Sequence, residues 1–159
     1  MKNALRSLQV FALGTWVGSI IFFSFVVAPG LFGILASQDE AGAVVGYSLD
    51  RLHSMAVIEA GIYLVATLLL GRSLKALIQP GAIGVILMLL LTLGSAHVVI
   101  PRMDMLRLKL PSLETTPASD PKRAEFDKLH QISVVVEGTV LLIGIAAMFL
   151  TVRESESGK

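Results

Sequence analysis

The sequence predicts an all-α membrane protein, a four-transmembrane-helix up-down-up-down bundle built from two repeated helical hairpins. Three observations predict it. First, 54% of the 159 residues are hydrophobic and only 16% charged, with a net charge of +1 and a mean hydropathy of +0.77. A water-facing domain carries about 25% charged residues, so this chain is matched to lipid. Second, apolar runs of spanning length recur four times. Third, the second pair of runs repeats short motifs of the first. With about 30 Å of hydrocarbon to cross at 1.5 Å per residue, a span takes roughly 20 residues. Residues 1–159 therefore make one integral membrane domain of four spans. The absence of cysteine excludes disulfides and thiolate chemistry, and the near-zero net charge leaves no nucleic-acid footprint. The bilayer is the predicted partner.

The first span covers about residues 8–28. Lys2 and Arg6 precede it in the manner of a signal peptide. Its apolar stretch exceeds a typical h-region, and Pro29 would follow any cleavage point, so an uncleaved span is predicted. Beyond Pro29 the helix can run on to about Ala36. Ser37-Gln38-Asp39-Glu40 has capping-box spacing, so helix two starts in water and spans about residues 52–70. Gly71 to Pro80 is a tight connection. Helix three spans about residues 82–100 and continues past Pro101 to about Leu110, where Pro111 stops it. A flexible loop at about 111–120 follows. Asp120-Pro121 then pairs a capping acid with a first-turn proline, and the fourth span covers about residues 132–150.

Small residues suit helix packing. Gly14 and Gly18 form a G-x-x-x-G pair on helix one, read as a packing face or as the face for a second copy or a membrane partner. Gly81, Gly84, Gly94 and Ser95 serve helix three, and Gly138 and Gly144 helix four. Trp16, Phe22, Phe23 and Phe25 are read as core or lipid contact.

Orientation follows from charge. Lys2, Arg6, Arg72, Lys75, Arg153 and Lys159 lie on the tight side, nearly balanced by Arg51, Arg102, Arg107, Lys109, Lys122, Arg123 and Lys128 on the other. The first loop sets Asp39, Glu40 and Asp50 against a lone Arg51, and the first helix usually dominates. Both termini are therefore expected in the cytoplasm, with the protein in the inner (cell) membrane of a bacterium.

The repeat is the most informative feature. Leu49-Asp50-Arg51-Leu52-His53 matches Phe126-Asp127-Lys128-Leu129-His130, and Phe25-Val26-Val27-Ala28-Pro29 matches His97-Val98-Val99-Ile100-Pro101. Consecutive hairpins share one membrane orientation, so a duplication would be a parallel repeat about the membrane normal.

Polar residues within this apolar frame need a reason. His53, His97 and His130 fall at one depth on the long-loop face, where imidazoles on facing helices could bind a transition metal or haem iron. The alternative is three separate structural roles. Met55, Met103 and Met105 bring thioethers to the same face, which suits Cu(I); methionine is also a common filler. Glu59 and Glu137 lie deeper, each in a run with no other charge. A carboxylate at mid-membrane costs about 3 kcal/mol on insertion scales, so both are expected to face the bundle interior. His130, Ser133 and Glu137 share one helical face, making a polar stripe for protons or cations, whereas Glu59 lies on another face from His53. The alternative is a glutamate bonded to Thr92, Ser95 or backbone. No nucleophile motif, phosphate loop or zincin spacing is present, so the reading leans away from an enzyme.

These residues resemble a known family. Gly14-Thr15-Trp16-Val17-Gly18 with Phe25-Val26, Pro101-Arg102, and Phe126 with Leu129-His130 and Ser133 are similar to domain of unknown function 4149. The transmembrane protein 205-like proteins of eukaryotes belong to that family. The likeness runs from about Leu8 to Leu150. Where that family tends to place asparagine seven residues after the helix-four histidine, this chain has Glu137. The resemblance implies a four-span membrane protein, distantly similar to copper-resistance-type proteins and to a haem-linked oxidase family. Eukaryotic members are associated with tolerance to platinum drugs, and no catalytic residues carry over. Three functions stay open: metal or cation handling, a non-catalytic membrane interaction or assembly role, and haem-binding redox chemistry.

Overall fold

Four long helices account for nearly all of the chain in the computed structural model, which describes residues 1–157. They are α1 (Lys2–Ile34), α2 (Gln38–Gly71), α3 (Pro80–Lys109) and α4 (Pro121–Ser157), and no strand occurs among the described residues. All four are long and apolar enough to cross a membrane. Lys159, counted among the tight-side cations, lies outside the described residues.

Local chemistry explains the boundaries. Ser37 is extended and its hydroxyl accepts the amides of Asp39 and Glu40, starting α2 where the spacing predicts. Asp120 does the same for Lys122 and Arg123 at the start of α4. Leu110, extended ahead of Pro111, ends α3. Arg72, at φ 52°, turns the chain out of α2, and its amide still reaches the Leu68 carbonyl. A short 3₁₀ turn, Leu74–Ile78, then leads to Pro80.

Two helices carry an irregularity not predicted from the sequence. Phe23–Val27 of α1 and Ser95–Val99 of α3 are π-helical, and each stands just before a proline, Pro29 or Pro101. A proline has no amide for the carbonyl four residues back and its ring crowds that oxygen. Those carbonyls belong to Phe25 and His97, inside the widened segments, so the helix passes its proline without breaking.

The helices pack α1 on α2, α3 on α4, α1 on α4 and α2 on α3. Trp16, Leu13, Ile20, Tyr63, Val85, Met88 and Val140 fill the centre, so Trp16 is core. Phe22 and Phe25 are exposed with Phe11, Leu90, Leu142 and Phe149, an apolar exterior that suits lipid. Close approach occurs at Gly84, where a methyl would stand 2.9 Å from Ala147 Cβ, and at Gly144, where it would meet Val17 Cγ2 at 2.6 Å. At Gly14 and Gly18 nothing lies within 4 Å of such a methyl. The G-x-x-x-G pair therefore does not serve packing within the bundle, because α1 turns Trp16, Val17 and Ile20 inward instead.

Candidate functional site

The imidazole of His53 and the carboxylate of Glu137 join α2 to α4 through the bundle, with Nε2 2.6 Å from Oε1. His53 is 4% exposed, and the Glu137 side chain 13%. The apolar stripe of α2 includes Leu49, Ala56 and Ala60, and this phase carries His53 inward with them. On α4 the inward stripe runs Phe126, Ser133, Val140, and Glu137 joins it one turn after Ser133. His53 Nδ1 is buried and has no hydrogen-bond partner, and the same holds for Ser95 Oγ in the π segment of α3. An imidazole bonded at one nitrogen and bare at the other can take a proton on one side and yield one on the other.

The other histidines do not join it. His97 is exposed on α3. His130 is exposed on α4, its ring parallel to that of Phe126 with centroids 6.5 Å apart. Among the described residues, no three His, Asp or Glu side chains are grouped as a metal ion would need. The shared depth of the three histidines holds in the sequence, but their azimuths differ. Met55 and Met105 are exposed, Met55 at 49%, so the thioether is not turned into the core beside His53. The predicted stripe on α4 narrows to Ser133 and Glu137. Glu59 is buried at 8% exposure and faces the interior as expected.

Several polar residues escaped the sequence reading. Tyr63 Oη lies 2.6 Å from Thr151 Oγ1, a second tie from α2 to α4. Gln9 Nε2 donates to Thr67 Oγ1 at 2.8 Å, and the Thr67 hydroxyl donates to the Tyr63 carbonyl. Like Glu59 and Glu137, Gln9, Thr67 and Thr151 are polar residues in or at the edge of apolar runs. That was the signal available.

Beyond the dyad, on the long-loop side, the loop is strapped down. Asp39 accepts the Leu113 amide at 2.9 Å, and Glu114 accepts the Gln38 amide at 3.3 Å. The Arg107 guanidinium lies against Gly42 and 5.7 Å from the Phe126 ring centroid, filling the space between α2 and α4. Asp39 stands in the polar first turn of α2, ahead of the apolar run. A hydrogen bond from the Ser112 hydroxyl, with the Leu113 amide and the charge of Arg107, holds its carboxyl below the ordinary aspartate value of 3.8. A lowered value means stabilisation that is complete at neutral pH and lost as pH falls through the folded-state value. The Leu113 amide is expected to stay protected from hydrogen exchange until the pH drops below about 3.8, after correction for intrinsic rates. Asp39→Asn should abolish that acid step; an unchanged profile would show that Asp39 does not hold the loop.

A family model described as domain of unknown function (DUF4149) matches residues 11–110. An uncharacterised protein of Aquifex aeolicus (strain VF5) is 30% identical over 148 residues, covering 92% of this chain and 96% of the relative. No solved structure matches.

Proposed function

Since the chain belongs to the family described as domain of unknown function 4149, we propose a function from its own residues: an integral membrane protein that exchanges a proton, or a small cation in its place, at His53 and Glu137. The observation that carries this is the 2.6 Å contact between His53 Nε2 and Glu137 Oε1, with Nδ1 bare behind it. Two arrangements of the pair are accessible. With Glu137 ionised, Nε2–H donates to the carboxylate. With Glu137 protonated, its O–H donates to Nε2 and the ring proton sits on Nδ1. Passing from the first to the second adds one proton at Nδ1 and moves the Nε2 proton across to Oε1. The reverse releases it, so the pair is a one-proton relay.

The metal and haem readings find less support. Copper or haem iron would have His53 as its one buried imidazole, because His97 and His130 stand on outer faces. The likeness to transmembrane protein 205-like and copper-resistance-type proteins adds no ligand to that set. A duplicated hairpin, up-down-up-down, remains our reading of the architecture, supported by the paired π segments before Pro29 and Pro101. Placement in a bacterial cell membrane with cytoplasmic termini rests on the first loop, where three carboxylates face Arg51.

Proteoliposomes test the reading. With an imposed potential and a trapped pH-sensitive dye, the intact protein is expected to acidify or alkalinise the lumen faster than empty vesicles. His53→Gln and Glu137→Gln should return the rate to that of empty vesicles. A wild-type rate no faster than empty vesicles would overturn proton exchange. Stoichiometric copper in the purified protein, lost with His53→Gln, would replace the proton by a metal.

A further inference from the structure

At the opposite end of the bundle, about 21 Å along α2 from His53 to Thr67 at 1.5 Å per residue, lies a second polar feature. A cavity of about 240 Å³ opens where the start of α1, the end of α2, the approach to α3 and the end of α4 meet. Its inner wall is built from buried polar side chains: Gln9, Thr67 and Thr151 are 7%, 2% and 3% exposed. The first two are bonded to each other, and Thr151 to Tyr63. Lys2 and Arg6 bring positive charge to the lining, against one carboxylate, Glu154. Glu154 Oε1 already accepts the Gly81 amide at 3.0 Å. Among the described residues of the lining, two cations stand beside one carboxylate.

The geometry points to a phosphate-binding site in this cavity, taking a phosphate-type oxyanion carried by a phospholipid headgroup or free in solution. The space equals about eight liquid waters at ~30 Å³ each, room for a phosphate ester with part of its hydration. An ammonium and a guanidinium supply charge-assisted hydrogen bonds, and the five N–H groups of Arg6 can serve an oxyanion alongside other acceptors. The cavity sits at the ends of the apolar helices, where basic pockets between spans meet headgroups. It shares no residue with the His53–Glu137 pair, so the two proposals stand or fall separately.

Native mass spectrometry of the full chain in detergent reads the lipid arm, using phosphatidylglycerol against diacylglycerol, which lacks the phosphate. Thermal unfolding with inorganic phosphate against chloride at equal ionic strength reads the free-ion arm. The intact protein should retain phosphatidylglycerol preferentially, and Lys2→Gln and Arg6→Gln should each lower that preference about five-fold, the worth of one interfacial cation. A phosphate-specific rise in unfolding temperature without lipid preference would support the site and name the free ion as its source. Lys2 is exposed, so its variant keeps the test decisive if Arg6→Gln fails to fold. Equal retention of both lipids with no phosphate effect, or a lipid preference or phosphate effect that the Lys2 variant leaves unchanged, would overturn the proposal.

Discussion

His53→Ala is expected to destabilise the folded protein by about 1–3 kcal/mol, the usual cost of leaving a hydrogen-bonded polar group in the interior without its partner. The lost partner is Glu137, whose Oε1 now meets His53 Nε2 at 2.6 Å within the bundle. Its carboxyl group would then be left without a hydrogen-bond partner in the apolar interior. Glu137→Ala should be nearly as severe, since it leaves both nitrogens of a buried imidazole unsatisfied. The double variant His53→Leu/Glu137→Leu removes both polar groups together and should recover much of the loss. Reversible unfolding in mixed micelles of the wild type, His53→Leu, Glu137→Leu and the double variant would give the four corners of the cycle. A strongly negative coupling term, with the double variant folded but silent in the vesicle assay, separates the pair's chemistry from its structural role. Additive single effects below about 1 kcal/mol would mean that the two side chains do not act as a unit.

The contrast between the dyad and the other two histidines shows what the sequence can and cannot supply. Depth is local information. Counting residues from each span edge puts His53, His97 and His130 at one level. Azimuth is set by neighbours. On α4, at about 100° per residue, His130 lies roughly 40° round from Phe126 while Ser133 returns to within about 20° of it. Phe126 and Ser133 are buried, and His130 falls outside the stripe. The caps at Ser37 and Asp120 were legible because each involves one side chain and amides two or three residues on. The π segments were not, because proline marks a defect without saying whether the helix breaks, kinks or widens. Tyr63 was passed over because an aromatic in an apolar run reads as core. Its hydroxyl acquires meaning only when α4 brings Thr151 to it.

The glycines carry the same lesson into a second large effect. Gly144→Ala is expected to destabilise the bundle by about 1–3 kcal/mol, the range for added volume in a close-packed core. Its methyl would stand 2.6 Å from Val17 Cγ2 and 2.9 Å from Met88 Cε. Met88 is flexible, but Val17 is β-branched on a helix with one strongly preferred rotamer, and both are buried. α1 and α4 would therefore have to separate. Gly18→Ala adds the same methyl where nothing lies within 4 Å, so it should leave monomer stability within about 0.5 kcal/mol. If Gly18→Leu instead breaks an oligomer in light scattering while unfolding normally, the G-x-x-x-G face serves another chain. Val17→Ala deletes the methyl that Gly144→Ala would strike. The double variant should recover most of the stability lost by Gly144→Ala, and failure of that rescue would place the strain elsewhere on α4.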